Sequence, residues 1–403
     1  LDAHLATPGR VGYAGFDPTS RSLTIGNYIP IKLLAHWQRA GHRPLVVLGG
    51  GTGLIGDPSG KTAERQLLSE ERVQENVAAQ RRVFERVLDF SGKHGAVMLD
   101  NADWLRPITF LDMLRDVGKH FSVNQMIQRD SVATRLNSRE QGISYTEFSY
   151  MILQAYDYVH LFRAHGCTVQ LGGSDQFGNI VSGIDLVRRM EGAEAWGITA
   201  PLVTRADGGK IGKTEQGAVW LTAEHTSPYA FHQYWLNTSD ADVIRFLKWF
   251  TFLERERIEE LAAQHAAAPQ ERAAHRALAD HMTELMHGPT ELARTRAAAE
   301  ALFGGDVRAL DEKLLREVFA EAPHSRGDRT SLEGEGLDLV ELLPTTTLCA
   351  SKREAREFLN TGSIAINGER VALGRRLTTA DLLHGRLVLL RRGKKNWHAV
   401  EFV

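Results

Sequence analysis

Val11-Gly-Tyr-Ala-Gly-Phe16, then Tyr28-Ile-Pro-Ile-Lys-Leu-Leu-Ala-His-Trp-Gln-Arg-Ala-Gly41, then Pro44-Leu-Val-Val-Leu-Gly49 decide the fold class. The first and third runs are short, apolar and bounded by turn residues, as buried strands of a parallel sheet are. The middle run has helical periodicity. Pro30 falls in its first turn, where a missing N–H does no harm, and Gly41 suits a C-terminal stop. Strand, helix, strand in this order begins a doubly wound α/β sheet.

Working outward, the alternation continues. Helices are expected over 67–88, 108–127, 145–165 and 179–190, and strands over 96–99 and 168–171. From Ser227 to Phe303 strand patterns vanish and Ala, Glu, Leu, Arg and His dominate, which predicts an all-helical domain. The stretch from Ala320 to Leu337 reads as a linker, and after Pro344 comes a small mixed module with a helix at 351–359. The boundaries expected are therefore 1–220 for the α/β domain, 221–320 for a helical domain, 321–345 for a linker and 346–403 for a basic module.

Charge supports that last boundary. The whole chain carries 48 Lys+Arg against 50 Asp+Glu, but 11 against 5 of these lie from Thr346 to Val403. The tail is thus +6 and the remainder −8, an asymmetry that suggests a module meeting a polyanion. Two cysteines, Cys167 and Cys349, lie far apart without metal spacing, so neither a disulfide framework nor a zinc site is expected and a reducing, cytoplasmic compartment fits. No apolar run approaches the roughly 18 residues of a membrane span. Leu1 is not an initiator Met, so some N-terminal sequence is expected to be missing.

Four segments carry chemistry. In the helix around Phe148–Tyr158, Tyr150, Gln154 and Asp157 sit at i, i+4 and i+7 and project from one face. A phenol, an amide and a carboxylate on a buried face need partners, in the core or on a polar ligand. Pro18–Asn27 forms the first strand-to-helix turn, where hydroxyls, an amide and Gly26 suit a phosphate-bearing nucleotide or a simple cap. Gly172-Gly-Ser-Asp-Gln-Phe-Gly-Asn179 is a second such turn. Asp207-Gly-Gly-Lys-Ile-Gly-Lys-Thr214 is a loop with two lysines three residues apart, able to close over phosphates. Gly51-Thr-Gly-Leu-Ile-Gly56 matches a dinucleotide fingerprint in letters only. Pro58 forbids the helix that motif should open, and no acidic strand end follows at the required distance.

Together these segments closely resemble bacterial tyrosyl-tRNA synthetases, class I enzymes, over essentially the whole chain. The resemblance implies a Rossmann-like catalytic domain with a dimer-forming insertion, an α-helical anticodon-stem domain and a small α+β RNA-binding module. By the same resemblance, Tyr13 and Asp157 match the pair that holds the substrate phenol. Asp57, Tyr150 and Gln154 match the ammonium site, with Gln176 near the carboxylate. Gly173 and Asp175 match ribose contacts, and Gly15, Asp17 and Gly26 belong with the ATP site. Thr24-Ile-Gly-Asn27 stands in place of a His-Ile-Gly-His signature, and Lys210-Ile-Gly-Lys-Thr214, with Lys213, in place of a Lys-Met-Ser-Lys-Ser loop. Lys61 and Arg65 match a segment reaching for pyrophosphate, and Thr19 joins the phosphate contacts. Both signature histidines are absent, so neither Thr24 nor Asn27 can bring positive charge.

The resemblance further implies L-tyrosine, ATP with Mg²⁺ bound through it, and tRNA(Tyr) as partners, no protein-held metal, no membrane, and a homodimer whose face includes 120–127 and the start of the 145 helix. Lys352, Arg353, Arg356, Arg391, Arg392, Lys394 and Lys395 would meet tRNA phosphates. A tryptophan-specific relative and a non-catalytic RNA-binding protein on the same fold are the alternative readings.

Overall fold

Val11–Phe16 (β1) lies at the centre of a five-stranded parallel sheet, in the computed structural model that describes residues 1–58, 68–129, 132–133, 136–137, 142–214, 217–302, 307–320, 322–393 and 396–403. Helix α1 (Ile25–Arg39) follows, then β2 (Arg43–Leu48), helix α2 (Glu70–Phe84), β3 (Val97–Asp100), helix α3 (Tyr145–His165), β4 (Cys167–Gly173), helix α4 (Phe177–Glu191) and β5 (Trp196–Ala200). The spatial order is β3-β2-β1-β4-β5, with every pairing parallel. The order reverses between β1 and β4, so a crevice opens at their carboxyl ends, where ligands bind in open α/β sheets. Both Gly-rich turns singled out in the sequence follow these two strands.

Local chemistry explains the helix ends. Helix α1 begins at Ile25 rather than near Tyr28, because Thr24 takes an extended conformation and bonds with Asn27, a reciprocal cap. Its buried face, Tyr28, Ile31, Leu34, Ala35 and Trp37, seats it on the sheet. A fully buried leucine such as Leu34 contributes about 2 kcal/mol by area alone, and its truncation to alanine costs about 2–5 kcal/mol. Helix α3 keeps its expected bounds. Ser144 caps its start, accepting from the Glu147 N–H, and Gly166 at φ 63° ends it in the left-handed region. The helix expected over 108–127 is broken instead into α-helix at Phe110–Asp112, a π turn at Met113–Val117, a 3₁₀ turn at Gly118–His120 and a last helix at Val123–Ile127. Gly51–Gly56 contains one 3₁₀ turn at Thr52–Leu54 and opens no helix.

The described chain divides into two units, and the division differs from the sequence boundaries. The first unit holds Leu1–Thr226 and Asn237–Met286. It carries the sheet and also a two-stranded hairpin, β6 (Lys213–Thr214) and β7 (Gly217–Ala218). With the second unit's helix α5 (Pro228–Leu236) intervening in sequence, the first continues through helices α6 (Asp240–Phe250), α7 (Arg255–Ala267) and α8 (Ala273–His287). Helix α6 is tied to α1 by buried Lys32, which donates to the Lys248 carbonyl at 2.8 Å. Burial lowers the Lys32 pKa to about 8, and Arg39 stacks 3.9 Å from the Phe252 ring centroid beside it.

The second unit holds Ser227–Leu236 and His287–Val403. Helix α9 (Pro289–Leu302) and helix α10 (Glu312–Val318) precede β8 (His324–Gly327), helix α11 (Lys352–Asn360), β9 (Ile364–Ile366), β10 (Glu369–Arg370), β11 (Leu387–Arg392) and β12 (Asn396–Phe402). These strands form a sheet in the order β10-β9-β11-β12-β8. The segment read as a linker, 321–345, therefore contributes β8, which pairs in parallel with β12 from Ala399↔His324 to Phe402↔Gly327. It also places Leu332, Leu339 and Leu343 in the same core as Leu359, Ile366 and Val388.

Candidate active site

The crevice at the carboxyl ends of β1 and β4 collects most of the residues singled out in the sequence, in two layers. The deeper layer is buried and cross-bonded. Tyr13, on β1, is 1 % exposed, and its hydroxyl has no hydrogen-bond partner. Tyr158 packs edge-on to it, ring centroids 5.3 Å apart. Burial raises the Tyr13 phenol well above its usual pKa, and the nearby Asp157 charge adds to the shift. Asp157, on α3, is 4 % exposed. Its two oxygens accept from Asn101 Nδ2 at 3.0 Å and from Trp104 Nε1 at 2.7 Å. Burial pushes its carboxyl up to about 7 against the pull of those two donors.

Asn101 and Trp104 escaped the sequence reading. They follow β3, so their position at a strand's carboxyl end was available as a signal. Asn101 also accepts from the Gly51 N–H at 2.8 Å and donates to Thr52 Oγ1 at 3.0 Å. Thr52 in turn donates to Asp17 Oδ1 at 3.0 Å. The 49–57 loop is thereby fastened to β3 and β1. Gly49 and Gly50 permit this, since a Cβ on either would run into Asp17 or Asp100.

Tyr150, expected beside Asp57, donates its hydroxyl to Asp17 Oδ2 at 3.0 Å. The charges of Asp17, Asp57 and Asp157 all bear on that phenol. Gln176 Nε2 donates to Asp57 Oδ2 at 2.7 Å, while Gln154 Nε2 donates to Gln176 Oε1 at 3.2 Å. Asn179 Nδ2 closes the network, reaching Gln154 Oε1 at 2.9 Å and Gln176 Oε1 at 3.2 Å. Helix α3 therefore places Tyr150, Gln154 and Asp157 on one face as the spacing predicts. Their partners come from β1, β3, the 49–57 loop and α4. The result is an acid-rich cluster, suited to an ammonium group, with the Tyr13 hydroxyl and the Asp157 carboxylate at its buried end.

The outer layer is exposed and sparsely bonded. Above Gly15 a Cβ would meet nothing within 4 Å, so the ground over β1 is open. Thr19 is exposed just beyond it. Gly173 ends β4 against Asp175, whose carboxylate lies where a Gly173 Cβ would go. Thr24 donates both its N–H, at 3.0 Å, and its hydroxyl, at 2.8 Å, to Asn27 Oδ1. Thr24's single hydroxyl proton is thus spent within the pair, and the donor left for a ligand is the Asn27 amide nitrogen.

The lysine loop abuts this turn. Ile25 N–H donates to the Val219 carbonyl at 3.1 Å, and Val219 N–H to the Gly212 carbonyl at 2.8 Å. Gly212, at φ 73°, sits where a Cβ would press on Ile25 at 3.3 Å, so the two signature segments form one surface. Lys210 and Lys213 are exposed there. Thr214 pairs with Gly217 in the β6–β7 hairpin. Lys61 and Arg65 lie outside the described residues.

On the second unit, Arg353 and Arg356 are exposed three residues apart on α11. Lys352 instead pairs with Glu341. Arg392 stacks 5.0 Å from the Phe358 ring centroid and donates to the Leu348 carbonyl, while Arg391 lies over Trp397 at 4.9 Å. Lys394 and Lys395 lie outside the described residues.

Two family models match the chain. The family model "tRNA synthetases class I (W and Y)" matches residues 10–304, and "Tyrosine--tRNA ligase SYY-like C-terminal domain" matches residues 316–400. The tyrosine--tRNA ligase of Roseiflexus castenholzii is 49 % identical, covering 97 % of this chain and 92 % of its own. That of Staphylococcus carnosus is also 49 % identical, over 97 % of this chain and 91 % of its own. Among solved structures, a C-terminally truncated mitochondrial tyrosyl-tRNA synthetase from Aspergillus nidulans superposes with a TM-score of 0.66 at 30 % identity, over 73 % of this chain and 86 % of that one. A tryptophanyl-tRNA synthetase from Encephalitozoon cuniculi, 12 % identical with a TM-score of 0.51 over 76 % of this chain and 82 % of its own, shares the fold alone.

Proposed function

The chain belongs to the class I tRNA synthetases, in their tyrosine–tRNA ligase branch, and from this premise we propose how its own residues activate tyrosine and pass it to tRNA(Tyr). The observation that carries the assignment is the buried, partnerless Tyr13 hydroxyl beside Asp157. A substrate phenol placed between them would accept from Tyr13 and donate to Asp157, which keeps lone pairs beyond those used by Asn101 and Trp104. Asp57, Gln154 and Gln176 take the ammonium and carboxylate end, and the Tyr150–Asp17 pair adds negative charge beside them.

With tyrosine held in this way, its carboxylate oxygen attacks the α-phosphorus of ATP. A new O–P bond forms, the bond from that phosphorus to the bridging oxygen breaks, and pyrophosphate leaves with the electron pair. The nucleophile is already anionic, so no general base is needed, and catalysis is positioning plus charge neutralisation. Gly15, Gly173 and Asp175 line the adenosine side. Thr19, Gly26, Asn27, Lys210, Lys213 and Thr214, with Lys61 and Arg65, meet the phosphates, and Mg²⁺ travels with ATP. In the second step a hydroxyl of the terminal adenosine of tRNA attacks the tyrosyl carbonyl and AMP departs. Arg353, Arg356 and the 391–395 run meet tRNA phosphates.

A homodimer is supported by apolar exposure. Val123 and Ile127 expose 57 % and 41 % of their surface, and Tyr145, at the start of α3, 63 %. Cytoplasmic residence is supported by two free cysteines, and no described helix is long and apolar enough to cross a membrane. ATP–pyrophosphate exchange with each of the twenty amino acids tests the assignment: tyrosine alone should support rapid exchange. Equal exchange with tryptophan or phenylalanine would overturn the roles given to Tyr13 and Asp157.

A further inference from the structure

Asp240, His265 and His275 stand on three different helices of the first unit, α6, α7 and α8, yet their ligating atoms all lie within 4.8 Å of one another. Asp240 Oδ1 is 3.3 Å from His275 Nε2 and 3.8 Å from His265 Nε2. The first of these separations is that of two ligands on one small cation, and the second is slightly longer. Zinc bonds of about 2.0–2.2 Å at tetrahedral angles set ligand atoms roughly 3.3–3.6 Å apart. The two imidazole rings meet edge to face, centroids 5.4 Å apart.

The hydrogen-bonding state of the histidines points the same way. His275 is fully buried; the Thr238 backbone lies in hydrogen-bonding contact with its ring, and its Nε2 faces Asp240 without hydrogen-bond geometry. His265 Nδ1 is likewise buried without a partner. A buried imidazole nitrogen beside a carboxylate, as His275 Nε2 is, is costly unless something takes its lone pair. Asp240 is 66 % exposed, so one side of the site opens to solvent and leaves room for a water as fourth ligand.

We propose that Asp240, His265 and His275 bind one divalent ion of the Zn²⁺ class. Two imidazoles and one carboxylate are a borderline-soft donor set that suits zinc and its cobalt surrogate over Mg²⁺ or Ca²⁺. The ion clamps the start of α6 to the end of α7 and the start of α8, across the 268–272 turn. It is separate from the tyrosine and phosphate groups. The spacings of 25 and 10 residues explain why the sequence suggested no protein-held metal: no short ligand motif exists.

The test uses the full chain without a histidine tag, dialysed against Zn²⁺ and then against buffer, with zinc read by elemental analysis and Co²⁺ by its visible d–d bands. One zinc per chain, an intense four-coordinate cobalt spectrum and a Zn²⁺-dependent rise in melting temperature are expected. Asp240→Asn leaves a surface position folded and should weaken Zn²⁺ by at least roughly tenfold, the smallest loss seen even for outer-shell partners. His275→Gln should abolish stoichiometric uptake. Sub-stoichiometric zinc in the parent chain, or equal uptake by Asp240→Asn and an Asp240→Asn/His265→Ala double variant as by the parent, would overturn the site.

Discussion

Asp157 and Lys213 belong to the two layers of the candidate active site and are held in opposite ways. Asp157 is buried, fixed by two donors from beyond β3, and shifted to a pKa of about 7. Lys213 is exposed at a short hairpin beside the Thr24 turn. The difference follows what each group meets. A neutral phenol is read by complementary hydrogen bonds, which gain strength and selectivity from burial and fixed geometry. Phosphate charge that moves during reaction is met by long, solvated cations that act when a loop closes. On the roles proposed above, recognition is built into the fold, while charge neutralisation is assembled around ATP.

The first way to break this comparison is at the buried end, where the effect should be largest. Phenylalanine would leave Tyr13 and Asp157 without their ligand partners. For this enzyme type, preference for tyrosine over phenylalanine is already the standard example of such asymmetry, at about 10⁵. Asp157→Ala should collapse that ratio in pyrophosphate exchange, with circular dichroism checking that Asn101 and Trp104 still hold the pocket. Tyr13→Phe should cost only about tenfold, one neutral hydrogen bond. A full-sized preference surviving in Asp157→Ala would show that the phenol is read elsewhere.

At the exposed end the loss should appear in rate alone. Lys210→Ala and Lys213→Ala should each lower the adenylation rate constant roughly 10²–10³-fold while leaving tyrosine affinity unchanged. Stopped-flow measurement of adenylate formation separates the two quantities. Weakened tyrosine binding in either variant would erase the division between layers.

The comparison sharpens with pH. Asp157 is raised from 3.8 to about 7, chiefly by burial. Its protonated form is therefore favoured in the folded, tyrosine-free chain. That contribution to stability is full below pH 3.8 and is lost as pH rises to about 7. Tyrosine binding runs the other way, since the carboxylate accepts the phenol proton. The tyrosine dissociation constant should rise by up to about tenfold per pH unit below 7, and Asp157→Asn should flatten the profile. Equilibrium dialysis across that range checks the sign, and affinity that improves on acidification contradicts it.

The smallest effects belong to Thr24 and Asn27. Asn27→Ala removes the donor left facing the ligand and should slow adenylation about tenfold. Thr24→Ala mainly weakens the cap of α1, costing about 1 kcal/mol of stability and little rate. Stopped-flow and thermal melts on both variants decide it: a larger rate loss in Thr24→Ala would reverse the assignment.

The sequence made the buried framework legible where information is local. β1 from Val11 to Phe16 and α3 from Tyr145 to His165 have the expected bounds, because apolar period and capping residues lie within each segment. The shared face of Tyr150, Gln154 and Asp157 follows from helical spacing alone. What escaped is set at long range. Asn101 and Trp104 reach Asp157 from 56 and 53 residues away, and no local pattern announces that contact. Strand β8, His-Ser-Arg-Gly, has no apolar alternation, and only pairing with β12 makes it a strand. The break at Met113–Val117 interrupts a helix whose exposed Phe110 and Leu111 give it little core to straighten against. Thr24 and Asn27 were visible as polar residues in a turn, but their bond to each other depends on backbone geometry.

Trp104 gives the tyrosine pocket an optical consequence. Its indole N–H is bonded to Asp157, and its ring stacks on His160 with centroids 4.4 Å apart at 11°. An indole emits at a wavelength that responds to nearby charge, and this one is bonded to a carboxylate. Filling the pocket proposed for tyrosine, or titrating Asp157, should change this residue's share of the emission of the chain's seven tryptophans, giving a reporter of occupancy without any added label.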